Sequence, residues 1–169
     1  PSGKPTGGAT GLLALALAPE GDAGRMRIEP RVVPESALLE SDLSRYDCIF
    51  LADVAQFTAN EARVLDGYLR GGGSLVFFLG QQVVADSYNR QLGGQQAGQA
   101  RLLPARLGEV IAKRRNPEAP PDRLDPMDYA HPIVREFRNR PKAGLLTTPV
   151  SKYFKLQLPK DSRAKVALR

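Results

Sequence analysis

The sequence predicts an α/β fold with a mainly parallel sheet, and three observations carry that prediction. Asp47-Cys-Ile-Phe-Leu-Ala-Asp53 and Ser74-Leu-Val-Phe-Phe-Leu-Gly80 are short, continuous apolar runs. Runs of that kind suit strands covered on both faces. Between them lies a helix with clear start and stop signals. Short links join the three, and a strand–helix–strand unit defaults to a right-handed crossover and parallel pairing.

Taken in order, residues 1–10 are rich in Gly and Pro and read as a loop. Residues 11–18 read as a short, mostly buried helix stopped by Pro19. Residues 20–25 form a turn, and residues 26–33 are expected to be a strand ending at Pro34. A helical turn over residues 41–46 leads into the first apolar run. The central helix starts at Thr58-Ala-Asn-Glu61, a capping box in which threonine and glutamate satisfy each other's backbone amides. Leu65, Tyr68 and Leu69 fall on one face, and residues 71–73, all glycine, end it. The expected core of the sheet is Ile49, Phe50, Leu51, Leu75, Val76, Phe77 and Phe78.

Beyond Gly80 a helix is expected over residues 84–92, followed by a mobile Gly/Gln loop to residue 98. Residues 106–113 read as a strand, and residues 116–126 as a polar, Pro-rich turn. His131-Pro-Ile-Val-Arg-Glu-Phe137 suits a short helix with Pro in its first turn. Residues 147–158 and 164–168 alternate as antiparallel strands should, giving a β-rich C-terminal addition. The 169 residues read as one domain. An opening Pro1 without an initiator Met and a close on Arg169 make both ends read as cuts in a longer protein.

Charge is unevenly spread. Residues 1–86 hold 7 Lys/Arg against 11 Asp/Glu, a net of −4, while residues 87–169 hold 17 against 7, a net of +10. A basic half can mark an anionic partner, or simply an arginine-rich solvated surface. No Trp is present and no nucleic-acid motif is visible, so specific nucleic-acid binding is not expected. The longest apolar run, residues 12–18, is far shorter than the roughly 20 residues of a membrane span. Any membrane attachment is therefore expected from segments outside this chain.

In open α/β sheets, ligands gather at the carboxyl ends of the strands. The two ends visible here place Asp53, Gln56, Gln81, Gln82 and Asn89 as candidate ligand-binding residues, with surface solvation as the plainer account of them. A nucleophile elbow would put Ser or Cys in the turn after the second run, where the chain reads Leu79-Gly-Gln-Gln-Val83. Cys48, the only cysteine, is expected to be buried in mid-strand, which does not suit a catalytic thiolate. His131 is the only histidine, and with Asp125 and Asp128 it reads as a structural turn rather than a metal site. The glycines at 71–73 follow a helix and open a strand, the reverse of a phosphate loop.

The stretches Asp42-Leu-Ser-Arg-Tyr-Asp-Cys-Ile-Phe-Leu-Ala-Asp-Val54 and Leu65-Asp-Gly-Tyr-Leu-Arg-Gly-Gly-Gly-Ser-Leu-Val-Phe-Phe-Leu-Gly80 carry a resemblance. Tyr88-Asn-Arg90, Leu102-Leu-Pro-Ala-Arg-Leu-Gly108 and Leu124-Asp-Pro-Met-Asp-Tyr-Ala-His-Pro132 extend it over nearly the whole chain. Together they resemble the class I glutamine amidotransferase-like domain of large bacterial membrane proteins with a Bat-type (aerotolerance) double-transmembrane region. The resemblance implies a flavodoxin-like three-layer αβα sandwich, with one further strand before Pro1 and another after Arg169. Active amidotransferases place a cysteine in the turn after the strand matching residues 75–79, with His and Glu later, and this chain lacks that set. The expectation is a non-catalytic domain with no cofactor. Its partners would be another protein or other domains of the same chain, on the extracytoplasmic side of a bacterial membrane. A hydrolase or transferase working through Asp53 and a second carboxylate is the alternative, and anionic-surface binding by the basic half is a weaker one.

Overall fold

A computed structural model describes residues 8–18, 28–94, 101–112, 122–140 and 143–169. The fold is mixed α/β, and the chain divides into two compact units, Pro1–Gln91 and Leu92–Arg169.

The first unit begins with helix α1, Gly8–Leu17. The helix forms, but it is not mostly buried as its composition suggested. Ala14 is packed inside, while Leu12 is 71% and Leu15 50% exposed. A helix without a polar face that covers the body with one side must leave apolar side chains on the other. The strand expected over 26–33 is not present in its described part, residues 28–33, which are irregular. Pro30 sits in the middle of it with no amide to give a ladder, and Ile28, Val32 and Val33 stand about half exposed. Residues 26 and 27 lie outside the described residues.

Helix α2, Ala37–Glu40, leads to the expected turn, a 3-10 segment at Leu43–Arg45. Strand β1 (Cys48–Ala52), helix α3 (Ala59–Arg70) and strand β2 (Ser74–Phe78) then form the expected unit. The strands pair in parallel, in register from Cys48↔Ser74 to Ala52↔Phe78. Both halves of the capping box are made: Glu61 N–H donates to Thr58 Oγ1 at 3.2 Å, and Thr58 N–H to Glu61 Oε2 at 2.7 Å. The helix stops where Gly72 takes φ +96°, a conformation that favours glycine. At Gly73 a β-carbon would overlap the ring of Tyr68. That close approach lets the Tyr68 hydroxyl donate to Tyr46 O at 2.9 Å and accept from Ser74 N at 3.3 Å, tying the starts of both strands to the helix.

Alternation along the strands gives the sheet two unlike faces. Leu51 and Phe77 share one. Leu51 is buried there, and Phe77 meets the rings of Phe57 and of Tyr88 from helix α4 (Ala85–Leu92) at 6.2 and 6.3 Å. Phe50, Val76 and Phe78 share the other. Phe50 and Phe78 stack at 6.3 Å, yet Phe78 is 46% exposed. Of the seven residues expected in the core of the sheet, only Leu51 is buried. Among the described residues the sheet has two strands, so each is an edge strand, and the Phe50 face has no buried side chain.

The second unit holds strand β3, Arg106–Ala112, and strand β4, Lys152–Gln157, paired antiparallel with a bulge between Leu107 and Val110. Helix α5, Pro132–Arg135, lies between them in sequence. It has Pro at its first turn, as expected, and buries Val134. No strand forms over 164–168. Among the described residues, the nearest ladder-like contact is at the following residue, where Arg169 and Asp125 exchange both backbone hydrogen bonds at 2.8 and 2.9 Å. With no neighbouring strand described along residues 164–168, alternation alone does not make a strand. The expected loop at 95–98 and most of the turn at 116–126 lie outside the described residues.

Candidate functional site

The carboxyl ends of β1 and β2 meet through one side chain. Asp53, the residue after β1, takes φ 54°, a left-handed conformation that aspartate tolerates better than most residues. Its Oδ1 accepts the backbone amide of Gln82 at 2.9 Å, and its own amide donates to Phe78 O at 2.9 Å. Its carboxyl group also fills the space that a Gly80 side chain would need. Asp53 therefore stitches the loop leaving β2 onto the end of β1. Of the five residues expected at this edge, it is brought together with Gln82. Gln56 and Gln81 point into solvent, and Asn89 is buried in α4 with 4% exposure.

Beneath this edge lies the aromatic cluster that supports it. Tyr88 is fully buried, its ring meets Phe57 edge-on at 5.1 Å, and its hydroxyl donates to Val54 O at 2.6 Å. Burial, and secondarily the charges of Asp53 and Glu35, push its ionisation well above the usual tyrosine value. Tyr88 thus holds the loop after β1 from below as a neutral donor. The sequence showed Tyr88 only as part of a resemblance. An aromatic residue on the inner face of an amphipathic helix was the signal that could have found it.

Cys48 occupies the first position of β1 and is half-buried, rather than deep in mid-strand as expected. Burial pushes its thiol pKa upward, which disfavours the nucleophilic thiolate. It also sits at the far end of β1 from Asp53, roughly 16 Å of strand away. His131 caps α5, its Nδ1 accepting the Ile133 amide at 3.2 Å, and Asp125 Oδ1 accepts the Met127 amide at 2.8 Å. Among the described residues no group of three or more His, Cys, Asp or Glu side chains is placed to hold a metal ion. No described helix is long and apolar enough to cross a membrane.

A cleft of about 580 Å³ opens at the opposite, amino end of β1, where no candidate site was expected. Asp42, Asp47, the Tyr68 side chain and residues 71–73 line it. Hydrogen bonds from the Ser44 hydroxyl at 2.7 Å and amide at 3.1 Å lower the Asp42 pKa. This cleft is rich in acceptors.

No family model, curated protein or solved structure matches the chain.

Proposed function

We propose that this chain is a non-catalytic interaction domain of the class I glutamine amidotransferase-like kind, part of a larger membrane-anchored bacterial protein. In this reading the parallel β1–α3–β2 unit belongs to a flavodoxin-like three-layer sandwich. The observation that carries it is the turn after β2. Where an amidotransferase would present its cysteine, Gly80 is packed against the Asp53 carboxyl group, and residues 79–83 contain neither Ser nor Cys. The one thiol lies at the other end of β1, with its ionisation disfavoured. The membrane-anchored, extracytoplasmic setting rests on the sequence resemblance. The partner is another protein or another domain of the same polypeptide.

Glutamine hydrolysis, followed as ammonia release, tests the absence of catalysis. The expected rate equals that of buffer for both the native chain and Cys48→Ala. Release by the native chain that disappears in Cys48→Ala would overturn the proposal.

A further inference from the structure

One end of the β3–β4 ribbon gathers charge of a single sign. The chain entering β3 and the chain leaving β4 run side by side there. Arg106 pairs with Gln157, Ser162 Oγ donates to Pro104 O at 3.2 Å, and Arg101 meets Asp161 at 3.5 Å. Residues 101–106 and 156–163 together hold four Lys/Arg against one Asp, and all four cations, Arg101, Arg106, Lys160 and Arg163, are exposed. Asp161 answers Arg101, while among the described residues no carboxylate pairs with the other three. Two large apolar side chains of the same stretch also stand in water, Leu156 at 56% and Leu158 at 44% exposure. Farther along the ribbon acids return, with Glu109 3.7 Å from Lys155 and Asp122 at the Tyr153 hydroxyl.

We infer that this end of the ribbon docks on an anionic phospholipid bilayer. Arg106, Lys160 and Arg163 meet the headgroup phosphates, and Leu156 and Leu158 enter the interface beneath them. The inference goes beyond the reading of this chain as part of a membrane-anchored protein, and rests on it in one respect: an anchor outside these residues keeps the bilayer within reach. Charge complementarity gives the sign of the occupant. The leucines choose among anionic occupants. A single-stranded nucleic acid uses aromatic rings to stack its bases, and residues 101–106 and 156–163 hold none. A bilayer interface takes up both kinds of side chain, cations at the headgroups and aliphatic groups at the acyl boundary. Contact of this kind stays at the surface, so it needs no spanning helix.

The test is co-sedimentation of the 169-residue chain with vesicles, either phosphatidylglycerol and phosphatidylcholine in equal parts or phosphatidylcholine alone. Half-maximal binding should come at or below about 1 mM acidic lipid, with no binding to the neutral vesicles at that concentration. Each charge removed should weaken binding about fivefold, so Arg106→Gln, Lys160→Gln and Arg163→Gln together should weaken it about 100-fold. The same charge change elsewhere in the unit, Arg123→Gln with Arg135→Gln and Arg140→Gln, should weaken it less than about tenfold. Leu156→Ser with Leu158→Ser leaves charge unchanged and should weaken it more than about fivefold. All these side chains are exposed, so the variants should keep the native urea midpoint. No binding to the acidic vesicles, equal losses from the two charge triples, or a leucine pair without effect overturns the inference. So does a DNA duplex that binds more tightly than the vesicles and is indifferent to the leucine pair, which would make nucleic acid the occupant. Glutamine hydrolysis is measured on the same preparation. Failed vesicle binding without hydrolysis removes this inference alone, whereas hydrolysis removes the non-catalytic reading beneath it.

Discussion

The two units each contain one pair of strands, and the pairs are supported in different ways. In residues 1–91 the pair is parallel and leans on helices. Tyr68 and Tyr88 each reach from a helix to a backbone carbonyl beside β1, and Phe57, Phe77 and Tyr88 form a set of edge-to-face rings. In residues 92–169 the pair is antiparallel and much of it stands in water, with Val110 44%, Tyr153 40% and Leu156 56% exposed. Charge follows the same division: 8 Lys/Arg against 11 Asp/Glu in the first unit, 16 against 7 in the second. An antiparallel ladder tolerates solvent on one face, whereas a parallel pair depends on what packs against it. In the first unit, therefore, aromatic side chains that lock loops matter more than the strands themselves.

The largest effect should come from removing the centre of that support. Tyr88→Ala deletes a fully buried ring and its hydrogen bond to Val54, and should cost about 3–5 kcal/mol in urea unfolding. Leu156→Ala in the second unit removes an exposed side chain and should stay within about 0.5 kcal/mol. Comparable losses from both would erase the contrast.

A middle-sized effect is expected at the strand ends. Gly80→Ala forces a methyl group into the Asp53 carboxyl and should cost about 1–3 kcal/mol. Adding Asp53→Ala should recover part of that loss, and a double-mutant cycle measures how much. Gly108→Ala in β3 meets the carbonyl of Lys155 at 3.0 Å, with its other neighbours at 3.6 Å, and should be milder. Strict additivity of the two changes at 53 and 80 would mean that Asp53 does not hold the loop.

The smallest effect concerns helix caps. Thr58→Ala should cost about 1 kcal/mol, because the Glu61 amide at the start of a twelve-residue helix loses the threonine hydroxyl that accepts from it. His131→Ala caps only four residues and should cost less by the same thermal-midpoint measurement. The reverse order would show that the second unit relies on its helix more than its ladder does.

How far the sequence could be read follows the same physical lines. The capped helix, its glycine stop, and the parallel pair were legible because local chemistry decides them: Thr58, Glu61 and Gly72 act within a few residues of themselves. Face exposure was not legible. Phe50 and Phe78 look like core residues in any window, and their burial depends on neighbours that no local pattern encodes. The expected strand at 26–33 had the right apolar residues, but Pro30 weighed more than their alternation in the described part. At the candidate site, Asp53 and Gln82 were recognisable from their place at strand ends. The hydrogen bond joining them and the packing of Gly80 needed coordinates, since the hydrogen bond spans 29 residues and Gly80 packs on the same distant Asp53. Tyr88 was overlooked for the same reason, its hydroxyl partner lying 34 residues away.

The bulge in β3 has a consequence for insertions and deletions. Leu107 pairs with Leu156 and Val110 with Phe154, so two residues, Gly108 and Glu109, occupy the place opposite Lys155 alone. Removing one of them would restore an unbroken ladder and leave Leu107 and Val110 on the face they already share. A one-residue deletion elsewhere in β3 would turn every side chain on one side of the cut to the opposite face. Gly108 and Glu109 thus mark the point in this strand where the chain can change length without changing phase.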